Sequence, residues 1–206
     1  VSGAVEATHL PLPEVSPGHL SENAAREVLD NIDKYDSLLM GCGIGLSAGS
    51  AKLVEGILFS HAVLPPTVVD ADGLNLLPQL KSDDWWSKFS EDAILTPHTG
   101  EMENLSGISS GEITDSRIPI ASESAVKWNK TVVLKGAYTV VAFPNGEIML
   151  SPYSNPGLAT AGTGDVLSGI LAGLLAQGLS LQTASALGVF LHGKTGDEVC
   201  NRLGES

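Results

Sequence analysis

Basic residues are scarce in this chain. Eleven lysines and arginines stand against 24 aspartates and glutamates, a formal net charge of −13. A nucleic-acid interface and an anionic membrane surface both need a basic face, so neither is expected as a partner. The deficit leaves room for a small anionic ligand, because a few backbone N–H groups aimed at one point hold an anion against the overall field. Cysteine is also scarce. Cys42 and Cys200 stand alone, without CxxC or metal-type spacing, which points to a reduced, cytoplasmic setting. Apolar runs of membrane-spanning length are lacking: "LSGILAGLLAQGL" (167–179) is too short and too interrupted by glycine, and reads as a buried helix. The opening stretch "VSGAVEATHLPLPEV" has neither the basic start nor the apolar centre of a signal peptide. It also has no initiator Met, so the natural chain is expected to begin upstream.

What is present describes an ordinary globular domain. The 206 residues are 43% hydrophobic and 17% charged, enough for one sizeable core. "LSENAAREVLDNI" (20–32) has helical spacing, with Ser21 placed to cap it and Glu22 close behind. "SLLMG" (37–41), "PPTVVDADG" (65–73), "AILTPH" (93–98) and "TVVLKG" (131–136) are short, continuously apolar strands. Helices are expected between them: one capped by Ser47 or Ser50 with Leu53, Val54, Ile57 and Leu58 on one face, one at "GEMENLSG" (100–107), and one through "RIPIASESAVKWN" (117–129). "YTVVAF", "PNG" and "EIML" (138–150) form a hairpin around an Asn-Gly turn, and two helices follow, at about 165–177 and 181–200. Strands that alternate with helices and are apolar throughout belong to a parallel sheet covered on both faces. The fold class is therefore α/β, mostly parallel, with a late antiparallel hairpin.

In such folds ligands bind at the carboxyl ends of the strands. Each strand here is followed there by a polar or glycine-rich cluster: Gly41–Gly45, Asp70 and Asp72, Thr96–Glu101, Lys135–Thr139, and later the turn Gly162–Asp165. In "ATAGTGD", Ala161, Gly162, Thr163 and Gly164 can aim successive N–H groups at one spot at a helix start, an anion hole. Asp165 is the only charged residue between positions 155 and 178. It can be a catalytic base beside that hole, or Thr163 or Asp165 can simply cap the helix. The turn does not match GxxxxGK[ST], nor "GCGIG" a dinucleotide GxGxxG.

Other residues carry paired readings. Glu101 can reach Mg²⁺ through water, or stabilise a first helical turn. His98 beside it is a ligand contact or a structural hydrogen-bonding residue. Lys135 is a solvated strand end, or neutralises a phosphate. Asp70 and Asp72 bind Mg²⁺ or cap the next helix. Cys42, with no basic neighbour in sequence, is read as a small filler without nucleophilic role. Trp85 and Trp86 are a packing pair or a surface lid, and His192 is a satisfied core histidine.

Taken in order, "GCGIG", "VVDADGLN", "LTPHTGEMENLSG", "VVLKGAYTVVAFPNG" and "NPGLATAGTGDVLSGILAGLLAQG" resemble the ADP/ATP-dependent NAD(P)H-hydrate dehydratases of the ribokinase-like superfamily, from about residue 37 to the C-terminus. The resemblance implies a ribokinase-like fold and a repair reaction. Hydrated NADH or NADPH is phosphorylated on its ring hydroxyl by ADP (or ATP), with Mg²⁺, and loses the phosphate. "PHTGE" looks like the bacterial, ADP-using form. The resemblance implies that Gly43, Gly45 and His98 bind the hydrated dinucleotide, and that Lys135, Gly136, Ala137, Tyr138, Thr139 and Gly164 bind the nucleotide. It implies that Asp165 is the catalytic base, also touching substrate, and that Glu101 is the magnesium-associated carboxylate, with Asn155 opening the loop beside them. It further implies a homo-oligomer, often a tetramer. Two departures stand out. The family usually has Pro where Cys42 stands, and its Gly-rich N-terminal segment, with the helix and strand after it, is not found here. One domain over 1–206, without that part of the family fold, is thus expected. The alternatives are a kinase of a small alcohol, such as a hydroxymethylpyrimidine or thiazole vitamin precursor, and a non-catalytic nucleotide-binding module.

Overall fold

The computed structural model describes residues 7–80 and 84–204. Residues 1–6, part of the stretch read against a signal peptide, lie outside the described residues. In chain order the elements are β1 (Glu14–Ser16), β2 (His19–Leu20), α1 (Ala24–Leu29), β3 (Leu38–Met40), α2 (Ala48–Leu58), β4 (Thr67–Val69), α3 (Asp72–Leu76), β5 (Ala93–Leu95), α4 (Thr99–Ser106), α5 (Ser110–Asp115) and α6 (Arg117–Trp128). They continue with β6 (Thr131–Leu134), β7 (Val140–Ala142), β8 (Ile148–Leu150), α7 (Thr163–Ala176) and α8 (Leu181–Leu203).

The main sheet runs in order β3-β4-β5-β6-β7-β8. Its first four strands are parallel, and β7 and β8 add antiparallel at the end. The expected strands and late hairpin are all present. Strands β4, β5 and β6 are buried along their length, as continuous apolar runs require. Alternate residues serve opposite faces. Val69, Leu95, Val132 and Leu134 join Leu53, Met102 and Trp128 in one core, whereas Val68, Ile94 and Val133 join Leu167 and Leu171 of α7 in the other. The parallel strands advance in one direction, and their crossover helices pack on the first core, as right-handed connections dictate. Helices α7 and α8 cover the second face.

Local chemistry explains the element ends. Ser47 caps α2 by accepting from the Ser50 N–H, and Leu53, Val54, Ile57 and Leu58 are its buried face. Pro119 lies in the first turn of α6, where its missing N–H has no intrahelical acceptor to serve, and Asn129 ends the helix in the left-handed region. Trp85 is buried against Phe89 and Trp128, with Trp86 edge-on, which makes the pair packing and not a lid.

The first helix differs from expectation. It spans only Ala24–Leu29, and Asn23, not Ser21, is at its N-cap, without a side-chain bond. Leu20 pairs in the small β1–β2 hairpin and the Ser21 hydroxyl accepts from Asn23 N–H, so the helix cannot start earlier. Among the described residues, no helix is long and apolar enough to cross a membrane.

Candidate active site

Four strand ends and one helix start converge on a single edge of the sheet. Asp70 follows β4 and Lys135 follows β6. The side chain of Asp70 is 1% exposed, and its Oδ1 accepts from Lys135 Nζ at 2.7 Å and from the Ala71 N–H at 2.8 Å. Its Oδ2 accepts from the Ser168 hydroxyl of α7. Burial pushes the Asp70 carboxyl up, but the Lys135 charge and the hydrogen bonds from Lys135, Ser168 and Thr96 outweigh it and hold the group below the usual carboxylate range. Neither Asp70 nor Asp72 caps α3, whose N-cap, Ala71, makes no side-chain bond. Asp72 instead accepts from the Gly45 N–H at 2.8 Å, tying the loop after β3 to the next strand end.

Glycine is required where that loop begins. A Cβ on Gly41, at φ +122°, would collide with the Asp70 carbonyl. Gly43 and Gly45 take φ +71° and +72°. Between Gly41 and Gly43, Cys42 Sγ and carboxylate oxygens of Asp70 and Asp165 lie within 4.8 Å of one another. Burial and the nearby carboxylates push the Cys42 thiol up to about 12, so it stays protonated and the reading of no nucleophilic role agrees with its surroundings.

After β5, His98 is the N-cap of α4. Its Nδ1 accepts from the N–H groups of Gly100 and Glu101 at 3.0 and 3.2 Å. Glu101 Oε2 accepts from the His98 N–H at 2.8 Å and lies 3.6 Å from Lys135 Nζ, while Oε1 faces His98 Nε2 at 3.3 Å. Both oxygens of this buried carboxylate are thus turned into a capping box and toward Lys135.

Helix α7 starts at Thr163, with Gly162 at its N-cap in the left-handed region (φ +91°) and no side-chain cap. The simple capping reading does not hold. The Thr163 hydroxyl donates to the Leu158 and Thr160 carbonyls instead, and Asp165 is an exposed first-turn residue turned to Cys42. The Thr163 N–H donates to the Thr160 carbonyl at 3.3 Å, so this member of the expected anion hole is already taken, and the N–H groups of Gly164 and Asp165 are the ones left without an acceptor among the described residues. A Cβ on Gly164 would lie 3.3 Å from Lys135 Nζ and 3.9 Å from Asp70 Oδ2, so the helix start rests directly on the ion pair.

A cavity of about 330 Å³ opens beside this point. It is lined by Lys135, Gly136, Ala137 and Thr139 on one side, Thr163, Gly164 and His192 on another, and the segment from Tyr153 to Ala159 on the third. The structure therefore brings together Lys135–Thr139 and the Thr163–Gly164 turn. Tyr138, at φ +54°, is directed elsewhere, and Ala161 and Gly162 are exposed just outside. Gly43, Gly45 and His98 do not line the cavity and sit on the flanking strand ends of β3 and β5. His192 is half-buried, its Nε2 3.0 Å from the Thr163 carbonyl. Burial pulls its pKa down, partly opposed by that bond.

Sequence reasoning missed Ser168 and Arg117. Arg117 donates to the Leu134 and Lys135 carbonyls at 2.9 and 3.2 Å and packs under Gly136, fixing the strand end that delivers Lys135. A polar residue one turn after Gly164 in an apolar helix was the available signal for Ser168.

The family model described as NAD(P)H-hydrate dehydratase matches residues 1–205. The chain belongs to the NAD(P)H-hydrate dehydratase family. It is 41% identical over 204 residues to the bifunctional NAD(P)H-hydrate repair enzyme Nnr of Moorella thermoacetica, covering 97% of this chain and 37% of that protein. It is 37% identical over 166 residues to the ADP-dependent (S)-NAD(P)H-hydrate dehydratase of Neisseria meningitidis, covering 81% of this chain and 56% of that one. The chain thus spans only part of the curated relatives it matches. The solved ADP/ATP-dependent NAD(P)H-hydrate dehydratase of Bacillus subtilis, co-crystallised with ATP/Mg²⁺, superposes with a TM-score of 0.72 at 27% identity, covering 89% of this chain and 65% of that one. A ribokinase-like superfamily protein from Enterococcus faecalis gives 0.75 at 28% identity, covering 89% of this chain and 62% of that one. The ribokinase-like fold expected from the motifs is the fold observed.

Proposed function

We propose that this chain is a single ribokinase-like domain that dehydrates hydrated NADH or NADPH at the expense of ADP. The family supports this, and so does the name of the Neisseria relative. The observation that carries it is the position of Asp165, one residue beyond the glycine that rests on Lys135 at the cavity wall. In this reading ADP lies in the cavity between Lys135–Thr139 and Gly164, with its terminal phosphate toward the helix start. There the N–H groups of Ala161, Gly162 and Gly164, with the helix dipole, favour negative charge, the Thr163 N–H being bonded to the Thr160 carbonyl. Gly43, Gly45 and His98 hold the hydrated dinucleotide from the β3 and β5 ends.

The carboxylate of Asp165 takes the ring hydroxyl proton as that oxygen attacks the terminal phosphorus of ADP, and the bond to AMP breaks. The ring nitrogen's lone pair then expels phosphate, and the neighbouring carbon gives up a proton to water. ADP and hydrate become AMP, phosphate and NAD(P)H, so the water of hydration ends in the phosphate. The Cys42 thiol lies within 4.8 Å of the Asp165 carboxylate, and the Asp70–Lys135 pair is the fixed floor beneath it.

Mg²⁺ belongs to this reading as a companion of the nucleotide. Glu101 is the carboxylate that reaches it through water, since its Oε1 faces His98 Nε2 and its Oε2 lies toward Lys135, and Asp70 is paired with Lys135, so neither is offered as a direct ligand. We propose further that the protein is cytoplasmic and assembles as a homo-oligomer, a tetramer. The assembly has one support in the structure, the exposed apolar side chains Ile148, Met149 and Leu150 on the edge strand β8. Incubation with NADH hydrate and ADP, following the return of dihydronicotinamide absorbance, tests the reaction.

A further inference from the structure

The third wall of the cavity is backed by one stripe of α8, of which Gly193 itself reaches the cavity. Gly193, Gly196, Asp197 and Cys200 recur at helical spacing and face the segment 153–158. A Cβ on Gly193 would collide with the Tyr153 ring, and one on Gly196 would lie 2.7 Å from Leu158 Cδ2. The two glycines are therefore the seats for these side chains. Beyond them stand the two polar members. Asp197 Oδ1 accepts from Asn155 Nδ2 at 3.1 Å, and Cys200 Sγ donates to Asn155 Oδ1 at 3.1 Å. The same Oδ1 accepts from the Gly157 N–H at 2.8 Å, which makes Asn155 the cap of the turn Pro156–Ala159. Tyr153, Asn155, Pro156, Leu158 and Ala159 line the cavity, whereas Asp197 and Cys200 do not.

We infer that Asp197 is a positioning residue for the nucleotide: through Asn155 it fixes the wall formed by 153–159, and so sets ADP affinity without touching ADP. The inference rests on the proposed occupancy of the cavity by ADP. An amide such as Asn155 can turn over and exchange its donor and acceptor ends. A carboxylate accepts only, so Asp197 selects the orientation that aims Nδ2 at α8 and leaves Oδ1 to cap Gly157. Losing it frees the turn to move, and the nucleotide must then order it on binding.

The test uses Asp197→Ala and Asp197→Asn in the full chain, with ADP titrated by calorimetry, steady-state kinetics, and hydrogen exchange of residues 153–159. Asp197→Ala is expected to weaken ADP binding and raise KM for ADP by roughly tenfold, with kcat within about twofold. Exchange should quicken in 153–159 and not in the central strands. Asp197→Asn, which can still accept but no longer excludes the other orientation of Asn155, should recover only part of the affinity. A purely structural role would instead lower the melting temperature and leave the ADP affinity of the folded protein unchanged, and that result overturns the inference. Failure of the unaltered chain to bind ADP would overturn the proposed function, whereas equal ADP affinity in unaltered and Asp197→Ala chains overturns this inference alone.

Discussion

Lys135 Nζ and Asp70 Oδ1 meet at 2.7 Å although 65 residues separate them, with Asp70 buried and the helix start of α7 resting on the pair at Gly164. Removing only the lysine leaves a buried carboxylate without its counter-charge. Lys135→Met is expected to destabilise the fold by about 3 kcal/mol, and Lys135→Met with Asp70→Asn by clearly less. Chemical denaturation of the two single variants and the double variant checks this. Because Asp70 is held below the usual carboxylate range, its contribution is present above the unfolded-state pKa and is lost as pH falls through the folded value. An acid titration of stability should lose that component in Asp70→Asn.

Gly164 tests the nucleotide wall. Its missing Cβ leaves 3.3 Å to Lys135 Nζ, the far end of a flexible side chain. Gly164→Val should leave the chain folded but less stable, since its branched side chain must push Lys135 Nζ aside from Asp70. It should cut ADP affinity by roughly tenfold or more, by filling the space against the helix N–H groups. Calorimetric ADP titration beside a melting curve separates these effects, and unchanged affinity would place ADP elsewhere.

Lys130 gives a pH prediction away from the site. It is 1% exposed, donates to the Phe89 carbonyl at 3.2 Å and lies over the Phe89 ring. Burial, opposed in part by Glu91, pulls its pKa from 10.5 to about 8. Below pH 8 the folded chain must hold a charged, desolvated amine; above the unfolded value neither state carries the charge. Stability should therefore rise between about pH 8 and 10.5, because the unfolded chain there binds more protons. Melting temperatures across that range should show the rise in the unaltered chain and lack it in Lys130→Met.

Much of this was legible in the sequence. Continuous apolar runs such as "TVVL" and "AIL" announced buried parallel strands, and the polar clusters after them marked the functional edge. The residue types at that edge were visible, but their pairing was not. Spacing along the chain says nothing about Asp70 meeting Lys135, or Asn155 meeting Asp197 across 42 residues. Glu101 could be read either way, because first-turn stabilisation and metal attraction both favour an acid there, and only coordinates show both oxygens turned into the cap. The β1–β2 hairpin escaped notice because strands of three and two residues carry almost no periodicity.

The central claim is that Asp165 is the base of an ADP-driven dehydration. The direct measurement is turnover of NADH hydrate with ADP by the unaltered chain and by Asp165→Asn, with ADP affinity and melting temperature taken on both. Asn keeps the shape and an acceptor oxygen but cannot take the proton. The account predicts restored dihydronicotinamide absorbance with the unaltered chain. It also predicts a fall of roughly 10²-fold or more in turnover for the variant, with ADP binding retained. Near-normal turnover by Asp165→Asn would contradict it.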